Sequence, residues 1–259
     1  MDLGLRDRRA LVTGSYRGTG AGIARALADE GAHVLVHGFE PGQPDAVVAE
    51  ITDAGGSCEG VVADITTDAG ATDLGAAAGA VDVVVANYGA PVGSTWSSMQ
   101  DWAAEWDRNV LAAVRVIQPF TAGMVERGWG RVVVIGTVGS RMPGTHNPGY
   151  YAAKAGLPVL VRTLAKELAG TGVTANLVSP GMIATAEVRE MLTKRATKRG
   201  LAADWETVHG WAIEHAMPNL TGRIPDPIDI GRVVAFVAGE AGWHINGAEV
   251  PLDGGTIDA

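Results

Sequence analysis

Ala10-Leu11-Val12-Thr13-Gly14-Ser15-Tyr16-Arg17-Gly18-Thr19-Gly20-Ala21-Gly22-Ile23 is the stretch whose reading decides the fold. A short apolar run, Ala10–Thr13, passes straight into a glycine cluster. The cluster passes into a segment where Ile23, Ala24, Leu27 and Ala28 recur at helical spacing. That order reads as strand, tight turn and helix N-terminus. Glycines let a backbone turn sharply and approach a pyrophosphate closely, and the free N–H groups and dipole of a helix start favour its negative charge. Gly14, Ser15, Arg17, Gly18, Thr19 and Gly20 are therefore candidate cradle residues. A plain strand–helix turn is the alternative. Among 36 glycines a lone cluster says little, but three between a buried strand and an amphipathic helix favour the cradle.

Outward from this stretch the same alternation continues. Apolar runs bounded by turn signals recur at Ala10–Thr13, His33–His37, Gly60–Ala63, Val81–Ala86, Arg131–Ile135 and Val173–Val178. They are short, rich in valine and apolar on successive residues, as strands buried on both faces of a parallel sheet are. Between them, Val110, Val114 and Ile117 form one helical stripe and Leu157, Leu160, Val161 and Leu164 another. The pattern predicts an α/β doubly wound parallel sheet of the Rossmann-like kind. Residues 183–225 break the rhythm with charges, two tryptophans and helix formers, and are expected to be a helical insertion over the carboxyl edge of the sheet. A helix over Ile228–Ala238 and a strand over Ala248–Leu252 are expected to close a single domain spanning 1–259.

Composition narrows the function. The single cysteine, Cys58, excludes an internal disulfide framework and a cysteine-based structural zinc site. No His/Cys/Asp/Glu cluster has zinc-ligand spacing, so no catalytic metal is expected. A net charge of −9 argues against a nucleic-acid partner, which would need a basic face. No apolar run is long enough to span a membrane, and Met1–Arg9 is too charged for a secretory signal, so the expected location is cytoplasmic.

In dinucleotide folds an acid about 20 residues beyond the glycine turn binds the ribose hydroxyls of NAD. Here the second strand ends His37-Gly38-Phe39-Glu40, and Gly38 stands where that acid is expected. A 2′-phosphate is not repelled there, and Arg17 could pair with it. Arg17 as a solvated surface charge is the plainer alternative. Glu40, if it bends back, would favour NAD; the balance favours NADP, with NAD possible.

Tyr150-Tyr151-Ala152-Ala153-Lys154 follows the fifth strand and a loop. Residues four apart share a helix face, so Tyr150 and Lys154 are neighbours, while Tyr151 points about 100° away. A free tyrosine has a pKa of about 10, and a nearby ammonium is expected to lower it and make the phenol a usable general acid/base. Alone, this spacing is equally that of a structural helix.

Taken together, the motifs resemble those of the short-chain dehydrogenase/reductase family, in its 3-oxoacyl-carrier-protein-reductase-like branch, over essentially the whole chain. The Thr13–Gly20 turn resembles its cofactor turn, and Asp64-Ile65 resembles its adenine contact. Asn87-Tyr88-Gly89 resembles the end of its Asn-Asn-Ala-Gly motif. Asn109 falls where the family carries an asparagine, and Tyr150 and Lys154 match Tyr-x-x-x-Lys. Ser179-Pro180-Gly181-Met182-Ile183 with Thr185 resembles the loop that holds the nicotinamide, and Asp253-Gly254-Gly255 matches a C-terminal signature. Two positions depart from the pattern. Thr137 stands thirteen residues before Tyr150, where the family has serine, with Ser140 a second candidate; Tyr88 puts a ring where the family has a methyl group.

The resemblance implies an oxidoreductase that moves a hydride between a nicotinamide cofactor and a carbonyl or secondary alcohol. Tyr150 would carry the proton, Lys154 would lower its pKa and hold the cofactor ribose, Thr137 would orient the substrate oxygen, and Asn109 would help hold a water path. Gly38, Asn87, Gly89, Pro180, Gly181, Ile183 and Thr185 join the turn as cofactor-binding candidates. The roof over 183–225 would be flanked by 89–96 and 140–149, with Trp96, Met142, His146 and Trp211 as candidate lining or as plain packing. A homo-oligomer, tetramer or dimer, is implied, and the faces around Val110–Ile117 and Leu157–Leu164 could supply its interface or pack on the sheet. An epimerase on the same fold and a non-enzymatic dinucleotide-binding or scaffold protein are the alternatives, and the substrate is left open.

Overall fold

The protein is described by a computed structural model over residues 1–256. The last three residues of the expected 1–259 domain lie outside the described residues. In chain order the elements are β1 (Arg9–Val12), α1 (Gly18–Asp29), β2 (His33–Gly38), α2 (Asp45–Asp53), β3 (Ser57–Val62), α3 (Asp68–Ala78) and β4 (Val83–Ala86). Next come α4 (Met99–Trp106), α5 (Ala112–Glu126), β5 (Gly130–Ile135), α6 (Pro148–Ala155), α7 (Leu157–Glu167) and β6 (Val173–Pro180). The chain closes with α8 (Ala186–Thr197), α9 (Trp205–His215), α10 (Pro227–Ala238) and β7 (Glu249–Leu252).

The strands form one parallel sheet in the order β3-β2-β1-β4-β5-β6-β7. β1 pairs on one side with β2 (Ala10 opposite Val34) and on the other with β4 (Ala10 opposite Val83). The chain winds outward in opposite directions from that point, which opens a crevice at the carboxyl ends of the strands, where ligands of open α/β sheets bind. Valine-rich β4, β5 and β6 are buried along their length, because helices cover both faces of the sheet.

One apolar layer packs α1, α2 and α10 on one face, through Ile23, Leu27, Ile51, Ile230 and Val234. The other layer packs α3, α5, α6 and α7, through Leu74, Ile117, Phe120, Ala153 and Leu157. The first expected stripe is split by this packing, Val110 and Ile117 being buried and Val114 on α5 exposed. Leu157, Leu160, Val161 and Leu164 of the second all join the core; Val159 on α7, outside that stripe, is exposed. α8 and α9 pack on each other around Leu192, Ala196, Val208 and Ala212, a small core of their own.

β3 differs from expectation. It begins three residues before Gly60 and ends at Val62, and most of its side chains are exposed. As the edge strand it has a solvent side and needs no continuous apolar run, so Ser57-Cys58-Glu59 conceal its start. β4 is also shorter than the Val81–Ala86 run. Ahead of it, Asp82 accepts the Arg9 backbone N–H on its side chain.

Candidate active site

The glycine-rich turn is built on backbone strain and close contact. Gly14 and Gly18 have φ of +62° and +57°, the left-handed region that a side chain rarely adopts. A β-carbon on Gly20 would lie 2.6 Å from the Gly14 carbonyl oxygen and 2.7 Å from Asn87 Nδ2, so any residue but glycine would displace the turn. Asn87 secures it by donating from Nδ2 to Thr13 O (2.8 Å) and from its backbone N–H to Thr13 Oγ1 (3.1 Å).

Two further side chains brace the turn from behind. Gly14 N donates to His37 Nδ1 (3.0 Å), so the proton of the imidazole sits on Nε2 and is given to Ala63 O (3.0 Å). Burial holds the His37 pKa down at about 4, which keeps the ring neutral and Nδ1 free to accept. Ser15 Oγ donates to Val12 O (2.7 Å) and accepts from His37 N (2.9 Å). Its hydroxyl is therefore turned into the protein, and the expected role of Ser15 toward a cofactor can involve only its backbone. The sequence gives no sign of the His37 brace, because a histidine inside an apolar run reads as strand core.

On the outer side of the turn lie the residues expected to choose the cofactor. A β-carbon on Gly38 would meet Gln43 Cβ at 2.8 Å and Pro44 Cδ at 3.0 Å, so any side chain there would have to displace Gln43. Gln43 Oε1 accepts the Phe39 N–H (2.8 Å) and the Glu40 N–H (3.4 Å), and Glu40 is exposed. Arg17 reaches across to Glu187 in the first turn of α8 (2.9 Å), both side chains being more than half exposed. Asp64 caps its own turn, accepting from Thr66 N (3.0 Å) and Thr66 Oγ1 (2.6 Å), while Ile65 is fully buried. Tyr88 lies against Phe39, with ring centroids 4.8 Å apart, and burial raises its pKa.

A cleft of about 580 Å3 opens beside the turn at the carboxyl edge of the sheet. Tyr150 and Thr137 share its wall with Thr19, Gly181, Ile183 and Thr185. Burial pushes the Tyr150 phenol up to about 12; Tyr151 and Glu105 add to this, and the Thr137 hydroxyl opposes it. Lys154 is buried on the same helix, donates from Nζ to Ile135 O (3.0 Å), and has its pKa lowered by burial to about 8. Desolvation favours the neutral form of each group, raising the phenol and lowering the ammonium, opposite in direction to the lowering expected of the tyrosine from its lysine. Ser140 is not free as a substitute for Thr137, since its hydroxyl donates to Thr137 O (2.8 Å).

Behind this pair stands Asn109, in a π-helical turn over Asp107–Leu111. Its Nδ2 donates to Glu105 O (3.0 Å), Glu105 Oε2 (3.0 Å) and Ala90 O (3.2 Å). Its Oδ1 is buried with no hydrogen-bonding partner among the described residues. A β-carbon on Gly89 would lie 2.8 Å from Lys154 Nζ and 2.9 Å from Asn109 Oδ1, so these two atoms share the space that the absent side chain leaves. The fully buried Glu105 is the residue that sequence reading missed. In a run with Asp101 and Asp107 it reads as one more charge on a solvated face.

Beyond the chemistry, the cleft wall is largely apolar. Met142, Met182, Met217, Val188, Ile224 and Leu252 line it, with Asn219, Asp253 and Thr256 on the side of the chain end. Pro180 ends β6 next to Gly181, whose N–H donates to Leu252 O (3.0 Å), and Thr185 caps α8 by accepting from Val188 N (3.4 Å). Of the four expected lining residues only Met142 lines this cleft. Trp96 is exposed and pairs with Trp102 (5.1 Å), His146 is exposed in its loop, and Trp211 stacks on His215 (6.4 Å). Residues 216–219 and 224–225 of the expected 183–225 roof line the cleft, and of the two expected flanks 140–149 contributes Met142 while none of 89–96 lines it.

A turn that only glycine permits, at the switch point of a parallel sheet and beside a half-buried tyrosine one helical turn from a buried lysine, defines a dinucleotide-dependent oxidoreductase. Comparison with known proteins agrees. The family described as short chain dehydrogenase matches residues 8–196, and the chain belongs to that family. D-beta-hydroxybutyrate dehydrogenase of Cupriavidus necator is 32% identical over 98% of this chain and 99% of its own length. The crystal structure of a 3-oxoacyl (acyl-carrier-protein) reductase from Agrobacterium tumefaciens C58 with NADP bound is 34% identical. It superposes with a TM-score of 0.86 over 98% of this chain and 96% of its own. L-sorbose reductase from Gluconobacter frateurii, complexed with NADPH and L-sorbose, gives a TM-score of 0.90 at 25% identity, with all of both chains covered. The protein is a nicotinamide-dependent enzyme that interconverts a carbonyl and an alcohol by hydride transfer. Among the described residues no helix is long and apolar enough to cross a membrane.

Proposed function

We propose that this enzyme reduces a ketone to a secondary alcohol with NADPH, using Tyr150 as the acid, Thr137 as the substrate anchor and Lys154 with Asn109 as the proton supply. The observation that carries the reading is the shared wall: Tyr150 and Thr137 face one cleft together with Thr19, where the cofactor turn passes into α1. The bound nicotinamide supplies the hydride in reduction and accepts it in oxidation. Tyr150 gives its phenolic proton to the carbonyl oxygen as that oxygen gains charge, and takes it back in the reverse direction. A phenol held near pKa 12 is fully protonated at neutral pH, as an acid must be before it acts. Thr137 donates its hydroxyl hydrogen to the same oxygen and fixes its position. Lys154 restores the tyrosine proton, and the unpartnered Asn109 Oδ1 holds water against Nζ.

Gly14, Gly18 and Gly20 let the pyrophosphate reach the start of α1, and Asn87 and Gly89 floor the ribose side. Asp64 and Ile65 take the adenine, and Pro180, Gly181, Ile183 and Thr185 hold the nicotinamide amide. Three features support NADP over NAD. Gly38, packed against Gln43 and Pro44, presents no acid to a 2′-phosphate, Arg17 lies at the turn, and two of the similar structures hold NADP or NADPH. Residues 183–225 cover the substrate. The exposed Val114 and Val159 on α5 and α7 support assembly into a homo-oligomer, and we place the enzyme in the cytoplasm.

The test follows absorbance of the reduced nicotinamide with a panel of ketones. The reading expects loss of NADPH matched one to one by alcohol formed, faster than with NADH. A protein that binds NADPH and consumes it with no carbonyl in the panel overturns it.

A further inference from the structure

Glu105 is a carboxylate with no exposed surface, placed in the last turn of α4 where nothing in the proposed reaction uses it. A buried carboxylate is costly unless every oxygen finds donors. Here Oε1 accepts the backbone N–H groups of Val92 (2.8 Å) and Gly93 (3.2 Å), and Oε2 accepts from Asn109 Nδ2 (3.0 Å). Its stem also touches the first turn of α6. A β-carbon on Gly149, the residue before Tyr150, would lie 3.3 Å from Glu105 Cγ, and the Gly149 N–H donates to Ser94 Oγ (2.9 Å). One side chain thus touches the loop after β4, the π-turn and the helix that carries Tyr150.

The chemical consequence falls on Asn109. An amide can present either its oxygen or its nitrogen to a given neighbour, and its surroundings decide which. Glu105 Oε2, Glu105 O and Ala90 O are all acceptors, so the nitrogen must face them. Turning the amide over would set its oxygen against a carboxylate and two carbonyls. Oδ1 is thereby committed to the space it shares with Lys154 Nζ beside Gly89. We propose that Glu105 is a positioning residue that fixes the Asn109 amide with its oxygen toward Lys154 and anchors the loop at Val92 and Gly93 beside it. The inference rests on the roles proposed for Tyr150, Lys154 and Asn109.

Glu105→Gln keeps the shape but places an NH2 group or loses an acceptor where the network needs oxygen. Its amide oxygen can serve the two backbone N–H groups, and then its nitrogen faces the Asn109 nitrogen, donor against donor. The expected result is a fall in kcat of about 10-fold to 100-fold, with KM for the ketone and NADPH affinity little changed. The pH–rate profile moves as well. The groups facing the phenol are Tyr151 and Lys154 on its own helix, Thr137 from the loop after β5 and Glu105 from α4. Removing the negative charge of Glu105 lowers the apparent pKa of the phenol, as its present influence is to raise it. In the Asn109→Ala background Glu105 has no amide left to orient, so adding Glu105→Gln is expected to lower kcat no further than Asn109→Ala alone.

Tyr150→Phe measured alongside separates the two levels of the argument. Activity unharmed in Tyr150→Phe removes the underlying reading. Activity lost in Tyr150→Phe, with Glu105→Gln keeping the wild-type kcat and pH profile and losing only thermal stability, overturns the positioning role alone. A double variant Glu105→Gln/Asn109→Ala whose kcat falls well below that of Asn109→Ala overturns it too. Should Glu105→Gln not fold, Glu105→Asp carries the test by withdrawing the carboxylate from Asn109 while keeping its charge: wild-type-like NADPH binding with a lowered kcat supports the role, and a wild-type kcat contradicts it.

Discussion

The glycine-rich turn and the 183–225 segment face each other across the cleft, and they are built on opposite principles. The turn is made of backbone. Its shape comes from positive φ at Gly14 and Gly18 and from a contact at Gly20 too close for a side chain, and it is braced by Ser15 and His37 from within the main core. The segment opposite is made of side chains on two helices that pack around a small core of their own, and it presents methionine, valine and isoleucine to the cleft. A pyrophosphate is the same in every dinucleotide, so a rigid backbone cradle suits it. Substrates differ, and a separately packed unit can change its lining without disturbing the sheet.

The comparison breaks first at Gly20. Gly20→Val places carbon against Gly14 O and Asn87 Nδ2, so NADPH binding followed by fluorescence is expected to be abolished while the fold survives. Retained affinity would mean that the turn does not hold the cofactor.

His37 sharpens the contrast through pH. The folded protein takes up this proton at about 4 and the unfolded chain at 6.5, so acid favours the unfolded state first. The contribution of the residue to stability is complete above pH 6.5. It is lost as pH falls toward 4, by about 3 kcal/mol. Urea unfolding at several pH values should show this loss in the wild type and its absence in His37→Gln. Equal slopes would contradict a neutral, buried brace.

The smallest effect concerns the bridge between the two regions, Arg17 to Glu187. Both side chains are exposed, so the pair itself adds little stability. Arg17→Ala should weaken NADPH binding by about 10-fold and leave NADH unchanged, as expected for one charge-assisted contact to a phosphate. Equal loss for both cofactors would remove Arg17 as the phosphate partner.

The same contrast explains what could be read in advance. The turn was legible because glycine is a direct record of backbone geometry, and Tyr150 with Lys154 because four-residue spacing fixes a shared face. The valine strands were legible because burial on both faces leaves a continuous apolar run. β3 was partly hidden because an edge strand carries Ser57, Cys58 and Glu59 without cost. The inward turn of the Ser15 hydroxyl was not legible because its partners, Val12 O and His37 N, are backbone groups on two strands. Glu105 was missed because its partners, Val92 and Gly93, meet it through backbone N–H groups that no side-chain pattern announces. Trp96 and Trp211 were open between lining and plain packing, because residue type alone does not set direction; in the structure they pair with Trp102 and His215 instead of lining the cleft.

The most direct measurement is turnover of an accepted ketone by Tyr150→Phe, with NADPH affinity determined on the same sample. Removing one hydroxyl leaves the ring and the cleft in place. The account predicts a fall in kcat of about 100-fold to 10,000-fold with NADPH binding within a few-fold of wild type. Wild-type turnover in that variant would contradict the assignment of Tyr150 as the proton donor.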